Sequence, residues 1–207
     1  MKGVSETIGF ILGWFAIIAQ FIIMIQTRQT DLPETIIRFF SFFTILTNLL
    51  LALFFTTRLT GFKSTPFHLF WKKGTLTALT VFILIVGLVY QFVLRDLWHP
   101  RGLQYFVDEL LHTVIPLWTL IYWGRHITEK ELQLKSVLSW LVYPVAYLAF
   151  ILIRGHFSKF YPYPFLNIPE IGYENSFIKI SIIFGVAILI MIALILIGKF
   201  ITNNKSF

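Results

Sequence analysis

The chain has 207 residues, 57% of them hydrophobic before glycine is counted and only 13% charged. Its 12 glycines lift the apolar share to roughly 63%, against about 45–50% in soluble domains, which excludes a soluble globular domain and intrinsic disorder alike. With no cysteine there is no disulfide framework, thiolate nucleophile or iron–sulfur site. A net charge of +7 without a long basic run fits loops against anionic headgroups, not a nucleic-acid track.

A helix needs about 20 mostly apolar residues to cross a bilayer core. Six stretches qualify, residues 8–25, 39–55, 76–94, 104–123, 137–153 and 177–198. They predict one all-α domain over residues 1–207, a polytopic membrane bundle of six helices joined by short loops, with no internal repeat. The first span lacks a small-residue cleavage site and reads as a retained helix. It carries Gln20 near its far end, and its Gly9–Gly13 pair reads as a packing face. The second carries Thr44, Thr47 and Asn48, the third Gln91, and the fourth Asp108, Glu109, His112 and Pro116. The fifth carries Tyr147, and the aromatic loop 156–165 that follows it reads as an interfacial belt.

Six spans return both termini to one side. That side collects ten of the 17 lysines and arginines, Lys2 and Lys205 among them, which predicts cytoplasmic termini. At about 1.5 Å per residue, Thr44, Thr47, Asn48, Asp108, Glu109 and His112 then all lie roughly 6–14 Å below the outer face. Gln20, Gln91 and Tyr147 share that half. Sorting by depth predicts a water-accessible pocket that opens outward. Ionisable residues at such depth cost about 2.5–3.5 kcal/mol each on insertion, so a functional reading is the default.

Asp108 and His112 are one helical turn apart, and Glu109 is three residues from His112. Either carboxylate can accept one imidazole N–H and raise the basicity of the other nitrogen; either can instead cap the helix. An unaided threonine hydroxyl is a weak nucleophile and needs such a base. Asn48, one turn from Thr44, can donate to an oxyanion or to a neighbouring helix. HExxH, GxSxG and P-loop motifs are absent, and His68, His99, His126 and His156 fall outside the spans, which leaves no pair of intramembrane haem ligands.

Phe43-Thr44, Leu111-His112-Thr113-Val114-Ile115-Pro116 and Tyr163-Pro164-Phe165-Leu166 occur in this order. In them the chain resembles the androgen-induced protein and androgen-dependent TFPI-regulating protein family, and the small six-helix membrane proteins that look like its bacterial relatives. The resemblance implies a multipass hydrolase of fatty acid esters of hydroxy fatty acids in a bacterial plasma membrane, with Thr44 as nucleophile and His112 as its histidine. Thr47 stands where the family has an acidic residue, and Asp108-Glu109 replace uncharged or weakly basic ones. The expected function is therefore a cofactor-free, metal-free lipid-ester hydrolase. Its partners would be a fatty acyl ester and membrane lipids, without nucleic acid. Asp108, Glu109, Asn48 and Thr47 are candidate orienting or oxyanion groups, and Gln20, Gln91 and Tyr147 candidate pocket lining. The alternative is a binding or transport protein using Asp108, Glu109 and His112 as a proton relay or cation site.

Overall fold

The computed structural model describes residues 3–97 and 99–204, so Lys2 and Lys205 of the charge count lie outside the described residues. Helix α1 (Val4–Gln26) starts where the Glu6 carboxylate accepts the Gly3 N–H at 2.7 Å. Its two glycines meet the third helix, α3 (Phe43–Thr60): a Cβ on Gly9 would stand 2.6 Å from the Phe55 ring, and one on Gly13 3.0 Å from Ala52 Cβ. The GxxxG pair is a packing face, as expected.

Between them lies α2 (Leu32–Phe39), which the sequence does not announce. Asp31 caps it by accepting the Glu34 N–H at 3.1 Å, and Pro33 occupies its first turn. The chain breaks at Ser41–Phe42, where Phe42 is extended, so the expected second span starts at Phe43 and not at 39. Thr44 consequently stands in the first turn of α3.

Helix α4 (Thr75–Val89) continues as a π turn (Tyr90–Leu94) and a short 3-10 turn (Arg95–Leu97). The next helical stretch consists of α5 (Leu103–Glu109), a second π turn (Leu110–Val114) and α6 (Ile115–His126). Then come α7 (Leu134–Leu138), α8 (Val142–Ser158) and α9 (Ile168–Asn204), the last interrupted at Gly172, whose φ of 81° suits glycine. Among the described residues there is no strand.

Five stretches are long and apolar enough to cross a membrane: Val4–Gln26, Phe43–Thr60, Thr75–Leu97, Leu134–Ser158 and Ile168–Asn204. The stretch 103–126 is of similar length, with Asp108, Glu109, His112 and Arg125 along it. Helix α4 lies at the centre, packed on α3, α6 and α9, while α1 packs on α3 and α6. Polarity runs inside-out. Thr47, Asn48, Thr75, Thr77, Thr80 and Thr119 are fully buried, while Ile11, Phe15, Ile153, Leu189 and Phe200 are exposed. Buried hydroxyls serve as helix–helix bonds: Trp123 Nε1 donates to Thr77 Oγ1 at 3.1 Å, and Trp14 Nε1 to Thr56 Oγ1 at 3.0 Å.

Candidate active site

The two π turns face one another, and each has a sequence cause or consequence at the site. Pro116 has no N–H, and in a regular helix its ring would clash with the carbonyl four residues back, that of His112. The π turn avoids this by widening the helix, so that Ile115 N–H reaches back five residues to Leu110 O. Leu111 O is then left without an in-helix donor, since Ile115 is committed and Pro116 has none to give. Asn48 Nδ2 approaches Leu111 O at 3.5 Å and also donates to Thr44 O at 2.9 Å. Both amide protons of Asn48 are thus engaged with backbone carbonyls, which corrects the expectation that it donates to an oxyanion.

The widened turn delivers His112 to Thr44. His112 Nε2 lies 3.3 Å from Thr44 Oγ1. On the opposite edge, Nδ1 faces Asp108 O at 2.9 Å and Asp108 Oδ1 at 3.3 Å. Two acceptors at Nδ1 place the ring proton there, leaving the Nε2 lone pair for the threonine hydroxyl. The ring is held flat against Tyr90 of the other π turn, with centroids 4.1 Å apart and planes 14° apart. Close approach of the two turns depends on Gly87, where a Cβ would meet His112 O at 3.0 Å. The Asp108 and His112 side chains are only 9% and 11% exposed, and Asp108 Oδ2 has no hydrogen-bond partner.

Glu109 turns away. It pairs with Arg95 and accepts from Thr113 Oγ1 at 2.7 Å; Gln91 donates to the same Thr113 hydroxyl at 2.9 Å and accepts from Arg95. This closed ring ties the first π turn and the 3-10 turn after it to α5 and the second π turn. It corrects two expectations: Glu109 does not orient His112, and Gln91 does not line the pocket. Glu109 therefore does not converge with Asp108 and His112. Among the described residues no three acidic or histidine side chains group as a metal site. Thr47 also points elsewhere, sharing a 2.8 Å hydrogen bond with Tyr143 OH, so it is neither an orienting nor an oxyanion group.

One side chain beside Thr44 escapes sequence reasoning. The end of the aromatic loop folds inward: Tyr163, Phe165 and the following Leu166 are buried, while Phe157 is exposed. Tyr163 OH accepts the Thr44 backbone N–H at 3.2 Å and lies 3.3 Å from Thr44 Oγ1. Because its oxygen takes the amide proton, its own proton is free to point at Thr44 Oγ1 or at a reacting group beside it. The position lies within the third resembling segment, yet a tyrosine in an aromatic-rich loop carries no signal of this role.

Thr44, Asp108 and His112 share a cleft of about 420 Å³ with Gln20 and Gln104, which are joined by a 2.8 Å hydrogen bond. It opens at the end of the bundle bearing the connections after α1, α4 and α8, on the side opposite the termini. A second cavity, about 100 Å³ and lined by α4, α8 and α9, includes Tyr147, whose hydroxyl donates to Ser41 O at 2.9 Å. Thr44, Leu94 and Tyr163 border both. Thr44 therefore stands in the wall between a vestibule that carries Gln20, Gln104, Asp108 and His112 and a chamber without charged lining.

No protein-family model matches the chain, nor does any curated protein or solved structure.

Proposed function

We propose that the protein is an integral membrane hydrolase of fatty acyl esters, with six spanning helices, cytoplasmic termini, Thr44 as nucleophile and His112 as its base. The observation that carries the reading is the chain of contacts from Asp108 through His112 to Thr44, at 3.3 Å on either side of the imidazole. Membrane insertion is supported by five helices of spanning length and an apolar outer surface. The resemblance in the Thr44, His112 and Tyr163 segments points to the same chemistry.

His112 Nε2 takes the Thr44 hydroxyl proton as Oγ1 bonds to the ester carbon, and the carbonyl π pair moves onto its oxygen. Collapse restores the carbonyl and breaks the bond to the leaving alkoxide, which receives the proton from Nε2. A water, deprotonated by the same nitrogen, then releases the acid and regenerates Thr44. Two features favour the developing negative charge: the Tyr163 O–H, and the N-terminus of α3, whose first amides have no intrahelical partner.

The test is a fluorophosphonate, which transfers phosphorus to an activated hydroxyl with loss of fluoride. Thr44 should be the modified residue in the purified protein. Labelling should vanish in Thr44→Ala and His112→Ala and slow about tenfold or more in Tyr163→Phe. Undiminished labelling of Thr44→Ala would remove the nucleophile assignment.

A further inference from the structure

We infer that the apolar chamber between α4, α8 and α9 is a binding site for an acyl chain of medium length, and that the vestibule on the His112 side takes the leaving alcohol. This rests on the hydrolase reading and assigns the two halves of its substrate to opposite sides of Thr44.

Three observations carry it. The chamber has no charged lining; its only side-chain polar atoms are the hydroxyls of Thr44, Tyr147 and Tyr163. Tyr147 is already committed to Ser41 O, so the only polar end the chamber offers a guest is the Thr44–Tyr163 pair. The base, by contrast, borders the vestibule and not the chamber, together with Asp108, Gln20 and Gln104. A chain seated in the chamber therefore places its carbonyl carbon at Oγ1. The departing oxygen then lies toward His112 Nε2, which must protonate it. The reverse placement would bury a polar alcohol among Phe82, Ile183 and Ala187 and leave the acyl chain beside Asp108.

Length follows from the helices. The lining runs from Val89 to Phe82 on α4 and from Ile180 to Ala187 on α9, each seven residues or roughly 10 Å of helix. Extended chain advances roughly 1.2 Å per bond, so about eight carbons fill that depth. Phe82, Leu141 and Ala187 are the lining residues farthest from Thr44 along their helices and form the floor.

The experiment uses the full chain in lipid nanodiscs and two probes. A medium-chain fatty acid with a terminal diazirine should crosslink, saturably by the unlabelled acid, to the floor residues. Alkyl fluorophosphonates of increasing chain length should modify Thr44 fastest at about eight carbons. Ala187→Phe should lower the ratio of long-chain to short-chain modification at least tenfold, and Leu141→Ala should raise it. If Ala187→Phe does not fold, Leu141→Ala decides. Crosslinks in the vestibule, at Met24 or Leu97, or modification indifferent to chain length, would overturn the acyl assignment while leaving the hydrolase standing. Saturable floor crosslinks without any modification of Thr44 would keep the acyl site and remove the hydrolase.

Discussion

At the scale of single residues, the site turns on what holds the His112 proton. Its Nδ1 faces both the carboxylate and the backbone carbonyl of Asp108, the carbonyl closer, at 2.9 Å against 3.3 Å. The tautomer therefore survives loss of the carboxylate, because the carbonyl accepts the same N–H. What Asp108→Asn removes is the charge that stabilises the imidazolium. Turnover is expected to fall about 10- to 100-fold, less than where a carboxylate alone fixes the tautomer, with substrate affinity nearly kept. Glu109→Gln should act differently. It breaks a partly exposed pair to Arg95, worth roughly 1 kcal/mol or less, and should lower the melting temperature by about 2–4 °C with little effect on labelling. A larger loss of turnover in Glu109→Gln than in Asp108→Asn would reverse the assignment. Thr44, Asp108 and His112 were legible because polar side chains stand out in apolar spans. Tyr163 was not, since its role depends on where an aromatic loop folds.

At the scale of elements, the two π turns and the start of α3 do the positioning. Pro116 made a distortion below His112 predictable. The response is a widened turn, which rotates the imidazole toward α3 instead of bending the helix away. That turn is packed within reach of Gly87 on α4, so Gly87→Ala tests the arrangement without touching a reacting atom. The added Cβ would stand 3.0 Å from His112 O, tighter than ordinary contact, and the turn must give by a few tenths of an ångström. Thr44 modification should slow about tenfold, in keeping with the steep cost of small misplacements. Equal rates in Gly87→Ala and native protein would show that the close approach is incidental. The break before α3 was illegible because residues 39–55 contain no proline or glycine to mark it. It matters chemically, since it places Thr44 in the first turn of a helix, whose amides have no intrahelical partner, and leaves its N–H to Tyr163 OH.

At the scale of the whole molecule, α2 and α8 are tied at the vestibule end by Glu34. Its carboxylate accepts from Arg38 Nε and Arg154 Nη2, each at 2.7 Å, and both guanidiniums lie over the Phe160 ring, at 4.5 and 5.0 Å. Phe160 precedes Tyr163 by three residues, so this tether anchors the loop that reaches Thr44. The Arg38 hydrogen bond chiefly, with Arg154 beside it, holds the Glu34 carboxyl below its ordinary value against a smaller opposing effect of burial. A depressed carboxylate stabilises the fold above its unfolded value of about 4.3 and loses that contribution as pH falls through its folded value. The melting temperature of Glu34→Gln should therefore lie below native at pH 7, with the gap closing below about pH 4. A gap independent of pH would show that the tether acts by shape and not by charge.

The sequence by itself determined the all-α class, the approximate helix lengths and the glycine packing face, because each depends on local composition and spacing. It also singled out Thr44, His112 and Asp108, whose polarity is conspicuous in apolar surroundings. Only the tertiary structure decided between Asp108 and Glu109, which are adjacent on α5 and face different ways, one toward His112 and the other toward Arg95. It likewise took Asn48, Thr47 and Gln91 out of the site: Thr47 and Gln91 bond to Tyr143 and Thr113 on neighbouring segments, and Asn48 to the carbonyls of Thr44 and Leu111. Tyr163 meets Thr44 across 119 residues, and the apolar chamber exists only where α4, α8 and α9 come together; no local pattern encodes such contacts.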